Sequence, residues 1–391
     1  MSLEDLIQRC RHHPVLQPLA ARLATNGTPL YAVGGPVRDA LDDVPVADLD
    51  VATAAAPDTI AQLGHDLGTL DLVGAPFGVI RIVSSHAAID VATFRTERYD
   101  DRSRNPTVEL VADLTTDLRR RDFTINAMAL RLDDATLHDP YGGREALRER
   151  LLDTPSDPVQ SFRDDPLRIH RAWRLAATRR LTPALRVVEA AHTCNHRLDL
   201  ITRERSTAEL LKVVEDPADV LADAVEIMCR LHAQGHALPG AEPPDADTLR
   251  GVPAGMARLA ALTRHTTDPD RTLRAWKIDN DRRRRVVDVH QIIDALTTPD
   301  VVGVRRMVRL HDDDQLDTAA VLWQLNGNSP HAALVHARED AARWRQPLAV
   351  TGSDLLAHHR REAGPWIGQA LRDLEDHLLR TGQNVSPAQL T

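Results

Sequence analysis

YAVGGPVRDALDDVPVADLDVAT, residues 31–53, decides how this chain is read. The apolar run from Leu30 to Val33 predicts a short buried strand. It stops at Gly34-Gly35, where adjacent glycines let the backbone turn sharply and bring its N–H groups close to a ligand. Val37-Arg38-Asp39 then open a short helical turn, and a helix N-terminus favours anions. After a loop carrying Asp42, Asp43 and Pro45, Asp48-Leu49-Asp50-Val51 reads as a second strand. Alternation along a strand places Asp48 and Asp50 on one face, roughly 6–7 Å apart, with Leu49 and Val51 turned to the core. Neighbouring carboxylates repel unless a cation sits between them. Hard oxygens of this kind suit Mg²⁺, which takes one or two carboxylates and completes its shell with substrate phosphates. A glycine turn for phosphates followed by a carboxylate pair for metal points to nucleotidyl transfer. A solvated DxD on an edge strand is the plainer reading of the acids alone. The order and spacing of GG, VRD and DLD count against it.

Outward from this stretch, residues 1–28 read as one or two helices, with Asn26-Gly27 as the stop. Pro57 starts a helix that runs to about Leu67. Two strands follow, Gly78–Val83 and Ala87–Phe94, joined by a hairpin turn at Ser84-Ser85-His86. On the second, Asp90 alternates with Ile89 and Val91. If this strand lies beside the DLD strand, Asp90 becomes a third carboxylate on the metal face; a solvent-facing aspartate is equally consistent. Residues 95–112 are dense in charge and read as a mobile surface loop beside the site.

Arg119-Arg120-Arg121-Asp122 then leads into the apolar Phe123–Ala129. Guanidinium forks of this kind suit phosphate or sugar oxygens, and Asp122 can accept a ribose hydroxyl. Asp139-Pro140-Tyr141-Gly142-Gly143 is a turn that closes the mixed portion. Beyond Arg144 the pattern is helix after helix, with loops at 155–158, 239–244 and 297–299. A helix is expected from about Phe162 to Arg180, with Pro166 tolerated in its first turn. Asp165, Arg168, Arg171 and Arg174 recur every three residues, so they form one slowly drifting stripe. A carboxylate followed by guanidiniums offers acceptors and donors for a base edge and cations for phosphates. A salt-bridged solvent face is the ordinary reading of such a stripe, and it yields here only because of the motifs that precede it.

The 391 residues leave room for about two to four domains. Apolar content is 42%, but aromatics are only 3%, so Leu, Val, Ala and Ile must fill the interior. Net charge is −9, and lysine occurs only at Lys212 and Lys277, so arginine carries the positive charge. An acidic balance is compatible with a nucleic-acid partner when basic residues cluster. Cys10, Cys194 and Cys229 lack CxxC spacing and fit reduced thiols in a cytosol. No signal-peptide pattern or bilayer-length apolar run is visible, which predicts a soluble cytoplasmic protein with no membrane association. No protein partner is evident.

GGPVRD with DLD, RRDFTINAMA, DPYGG, DDPLRIHRAWR and the stretch from Glu204-Arg205 to Glu209-Leu210-Leu211-Lys212 resemble the five ordered motifs of class II tRNA nucleotidyltransferases. These are the CCA-adding enzymes, in one family with bacterial poly(A) polymerases. LAVTGSDL at 348–355 and GPWIG at 364–368 resemble the tail of the compact CCA-adding type found in low-GC Gram-positive bacteria. The resemblance implies an α+β chain: a small palm β-sheet head over 1–143, then an all-α neck over 144–213, body over 214–330 and tail over 331–391. It implies template-independent addition of C, C and A to the 3′ end of tRNA from CTP and ATP with Mg²⁺. It places metal on Asp48 and Asp50 and the triphosphate at Gly35 and Arg38; Gly34 of the same turn and Asp90 join the candidate site from the reading of the residues above. Arg121 and Asp122 fall at the ribose and phosphates, Asp165 and Arg168 at the base, and Arg171 and Arg174 at phosphates. One departure is Asp164, where the family usually has Glu. The resemblance also admits an A-adding or CC-adding relative or a poly(A) polymerase, and the Arg98–Pro106 segment speaks against a CC-only enzyme. A non-catalytic RNA-binding protein is disfavoured by the intact acid pair.

Overall fold

A computed structural model describes residues 2–85, 87–98, 107–297, 300–329 and 331–389. The expected hairpin-turn residue His86, the segment Tyr99–Pro106 and loop residues 298–299 lie outside the described residues. The chain divides into two compact units. The first comprises residues 1–209 with 226–237; the second comprises 210–225 with 238–391.

The first unit is built on a seven-stranded sheet. Its strands in chain order are β1 (Leu30–Val33), β2 (Asp50–Thr53), β3 (Thr69–Asp71), β4 (Val79–Val83), β5 (Ala88–Thr93), β8 (Ala129–Arg131) and β9 (Leu137–His138). β6 (Arg95–Arg98) and β7 (Thr107–Leu110) form a separate antiparallel pair. The sheet order is β3-β4-β5-β2-β1-β8-β9. β2 and β5 run parallel, while β1 pairs antiparallel with both β2 and β8. The alternation read in residues 78–94 is realised, for Ile80 and Ile82 on β4 and Ile89 and Val91 on β5 are all buried. Tyr31, Val33, Ala52, Phe94, Leu118, Ala127 and Ala129 form one core cluster. Tyr31 and Phe94 pack with ring centroids 5.8 Å apart.

Helices flank this sheet: α1 (Leu3–Arg11), α2 (Leu16–Thr25), α3 (Gly35–Leu41), α4 (Pro57–Gly64), α5 (Leu114–Arg119) and α6 (Gly143–Arg148). The four that follow are α7 (Pro158–Asp164), α8 (Leu167–Thr178), α9 (Leu185–Cys194) and α10 (Arg203–Val214), whose last residues enter the second unit. The single helix expected over 162–180 is therefore two. The break has a local cause: the Pro166 ring disfavours helical backbone at the residue before it, and Asp165 sits at φ −135°, ψ 97°. Two further expectations change. Asp48 lies in the bend before β2 and only Asp50 is in the strand. Residues flanking 99–106 are paired strands and not open loop, because backbone pairing needs no apolar side chains.

The second unit is helical. Arg258, 1% exposed, donates to the carbonyls of Val213, Asp216 and Ala218 at 2.6, 2.7 and 2.5 Å and so satisfies the chain end of α10. Among the described residues no helix is long and apolar enough to cross a membrane.

Candidate active site

The acid cluster is assembled by strand pairing. Asp50 and Asp90 are register partners on the parallel strands β2 and β5, so their side chains leave the sheet on one face at the ordinary strand spacing, about 4.8 Å. The conditional reading of Asp90 is thus met: its strand does lie beside that of Asp50. Arg81, opposite Asp90 on β4, approaches it at 3.5 Å. Asp50 keeps solvent access, yet the surrounding protein strips enough hydration to push its carboxyl above the usual carboxylate range. Asp48 and Asp90 add to that rise, while Arg121 and Arg171 oppose it.

The glycine turn lies under the same arginine. Gly34 has φ +74°, a backbone state that glycine adopts without strain. A Cβ placed there would sit 2.8 Å from Arg121 Nη1, so glycine is also required for that guanidinium to lie over the turn. Arg121 is anchored through Nη2 to Asp117 at 3.1 Å, while its Nε is buried without a hydrogen-bond partner. Asp117 is 1% exposed and also receives Arg120 (Nη2, 2.8 Å) and the backbone N–H of Arg95 (3.1 Å). One buried carboxylate therefore holds both arginines and the root of the β6–β7 pair. Arg38 is itself buried, bonded to Asn126 at 2.6 Å and to Asp39 at 2.8 Å through Nε. Asp39 takes Arg179 as well, at 3.0 Å.

The third side is α8. Asp122, buried beneath it, accepts the Phe123 N–H and the Asn126 amide on one oxygen, each at 2.9 Å, and Arg171 on the other, at 2.7 Å. Burial alone would raise this carboxyl. Arg171, the Asn126 bond and Arg168 outweigh it and hold the group at about 2. With both oxygens engaged, Asp122 anchors Arg171 in this structure. Arg168 is buried too, donating to Ser161 Oγ and the Arg120 carbonyl, both at 2.7 Å. Arg174 is paired with Glu209 of α10. Asp165, just outside the helix, faces Arg205 at 3.6 Å. The stripe is real as a set of neighbours, but every member has a protein partner.

A divalent metal fits the donor chemistry at the acids: Asp50 and Asp90 side by side on β2 and β5 with Asp48 in the bend before β2, Asp50 being pushed up by burial and further by its like-charged neighbours. Among the described residues no three His, Cys, Asp or Glu side chains converge to hold an ion unaided. Magnesium does not need them to, since phosphate and water complete its shell. Sequence reasoning missed Asp117, Asn126 and Glu209 as organisers. Asp117 had a signal, its i+3 and i+4 spacing to Arg120 and Arg121, and Asn126 had one in its i+4 spacing to Asp122; the bonds of Asn126 to Arg38 and of Glu209 to Arg174 join residues remote in the chain.

Residues 30–153 match the Poly A polymerase head domain, and residues 254–384 match the putative domain 2 of tRNA nucleotidyltransferases. The chain is 30% identical over 368 residues to the CCA-adding enzyme of Streptococcus gordonii, covering 92% of this chain and 91% of the relative. It is 32% identical over 375 residues to that of Geobacillus kaustophilus, covering 90% and 88%. Among solved structures it resembles the Bacillus stearothermophilus CCA-adding enzyme in complex with CTP, with TM-score 0.75, 27% identity and 94% and 93% coverage. The fold is also shared with the Thermotoga maritima CCA-adding enzyme complexed with tRNA, at TM-score 0.69, 18% identity and 100% and 97% coverage.

Proposed function

This chain belongs to the CCA-adding enzymes, and from that premise we propose that it adds C, C and A to the 3′ end of tRNA from CTP and ATP without a nucleic-acid template. The observation that carries the reading is the meeting of three elements at Asp50: Asp90 in register beside it, Arg121 over the Gly34 turn, and Arg171 of α8 in its field. The S. gordonii and B. stearothermophilus relatives, both CCA-adding enzymes and the latter solved with CTP, support the same reading. The division into head, neck, body and tail, with the latter two gripping tRNA, belongs to this proposal.

In this mechanism Asp48 and Asp50 would hold Mg²⁺, and Asp90 would add negative field beside them. The metal supplies Lewis-acid stabilisation of phosphate charge and a lowered pKa for the attacking hydroxyl. Arg121, whose Nη1 lies over the Gly34 turn, takes the phosphates. Asp117 and Asp122 keep Arg121 and Arg171 aimed. Asp165 and Arg168 stand at the base edge; Arg174 contributes to the cationic surface for phosphates. The bond formed joins the tRNA 3′ oxygen to the α-phosphorus, and the bond broken releases pyrophosphate. Selection by side chains replaces a template strand.

The test is purified protein with tRNA ending at the discriminator base, given CTP alone, ATP alone, or both. The expected products are CC from CTP alone and CCA from both. A ladder of A residues from ATP alone would favour the poly(A) polymerase reading that the head-domain match also admits.

A further inference from the structure

Between the charged members of α8 lies His170, 0% exposed and outside the mechanism above. Its two ring nitrogens have different partners. Trp173 Nε1 is 3.0 Å from Nδ1, and Ser206 Oγ of α10 is 3.3 Å from Nε2. An indole N–H only donates, so Nδ1 must offer a lone pair. The proton of the neutral ring then sits on Nε2 and is donated to the Ser206 hydroxyl. The tautomer is fixed by its partners and needs no external assignment.

Among the described residues α10 reaches α8 and the break just before it as follows. Arg205 faces Asp165, Ser206 meets His170, and Glu209 holds Arg174. The outer two involve residues placed at the nucleotide, and the Arg205–Asp165 pair is half exposed and weak. The middle tie is neutral, directional and dry. It touches no candidate ligand group, yet it lies between the two residues that do.

We infer that His170, held as the Nε2–H tautomer between Trp173 and Ser206, is a positioning residue that fixes α8 against α10 and thereby aims Asp165, Arg168 and Arg171. This inference rests on the reading of α8 as the nucleotide-selecting helix. The surroundings favour the neutral ring: burial pushes the imidazole down to about 3, His236 and Arg203 push the same way, and Glu209 opposes them. A protonated ring would set an Nδ1–H against the Trp173 N–H, breaking the clamp.

The experiment measures single-turnover addition of CTP, ATP, UTP and GTP on one tRNA acceptor for four variants. Ser206→Ala removes the acceptor with minimal volume change. His170→Asn keeps an acceptor for Trp173 but does not reach Ser206. His170→Gln restores a donor at the Nε2 position. Arg168→Ala reports on the helix reading itself. Ser206→Ala and His170→Asn are expected to lower selectivity for CTP and ATP about three- to tenfold, the range a single neutral hydrogen bond carries. Their maximal rates with CTP should stay near the parent while their thermal midpoints fall by the few degrees that a lost buried hydrogen bond costs, and His170→Gln should recover most of the selectivity. If Arg168→Ala relaxes choice while Ser206→Ala and His170→Asn do not, the positioning role is overturned and the helix reading stands. If Arg168→Ala also leaves choice intact, the helix reading falls first. Nitrogen-15 shifts of the ring provide an independent check, since a protonated Nδ1 at neutral pH would overturn the assignment even for variants that fold poorly.

Discussion

The acid edge of the sheet and the arginine face of α8 serve one site, and they manage charge in opposite ways. At the edge, Asp48, Asp50 and Asp90 crowd like charges together, and Asp50 is driven toward its neutral form by burial and by its neighbours. On α8, each guanidinium already has its acceptor: Arg168 has Ser161 and the Arg120 carbonyl, Arg171 has Asp122, and Arg174 has Glu209. The first region keeps Asp50 short of a partner, with only Arg81 beside Asp90 and the more distant fields of Arg121 and Arg171, so a cation completes it. The second is balanced before any nucleotide arrives. A metal centre can be completed by its ligand, whereas a surface that must distinguish bases gains from being rigid in advance, because ordering is then not charged against binding.

The comparison breaks most simply at the edge. Asp50→Ala is expected to abolish addition of both C and A while leaving tRNA binding nearly intact. The loss of several kcal/mol of transition-state stabilisation corresponds to a rate fall of about a thousandfold or more. Chelation of divalent metal should mimic the variant, with Mg²⁺ restoring only the parent protein. Normal turnover by Asp50→Ala, measured by primer extension on tRNA, would remove metal catalysis from this edge.

The arginine face should fail in a different way. Arg168→Ala is expected to relax nucleotide choice about ten- to a hundredfold, the discrimination of one well-made contact to a base edge. Arg174→Ala should weaken all four nucleotides alike, since a phosphate contact carries no base information. Equal loss for every nucleotide in Arg168→Ala would make the face a phosphate clamp only.

How much of this was legible in the sequence depended on reach along the chain. Gly34, Arg121, Arg168, Arg171 and Arg174 were read from local spacing, although the helix that carries the last three begins only after a break at Asp165. The position of Asp90 beside Asp50 was not readable, because parallel pairing of β2 and β5 spans a long crossover that leaves no local signal. Pro166 was visible, but a proline fits both a first turn and a break; the extended backbone of Asp165 decided it. Charge density at 95–112 hid the β6–β7 pairing, since a strand pair outside the seven-stranded sheet needs no apolar alternation. The anchoring of Arg174 by Glu209 was invisible for the same reason as Asp90: the partners are remote in sequence and are brought together by helix packing.

The smallest expected effect separates the two regions by pH. Asp50 must be ionised to hold metal, and its carboxyl lies above the usual carboxylate range. Activity at limiting Mg²⁺ should therefore fall, as pH is lowered, through a midpoint above that range. Asp90→Asn removes one of the like charges that raise Asp50, so this midpoint should move to lower pH by less than about one unit, the scale of a single partly screened charge. Asp122 behaves oppositely. Its folded value near 2 is below its ordinary value, so its contribution to stability is fully present above about 3.9 and is lost only as pH falls toward 2. The α8 face should thus stay intact across the range in which the acid edge is being protonated. The measurement pairs a pH–rate profile at fixed low Mg²⁺ with thermal unfolding at each pH, for the parent and Asp90→Asn. A limb that shifts downward in the variant, with unfolding midpoints unchanged over the same interval, separates loss of the metal edge from loss of the fold. A limb that stays in place would mean that Asp90 exerts no field on Asp50 in solution, and the third carboxylate would leave the mechanism.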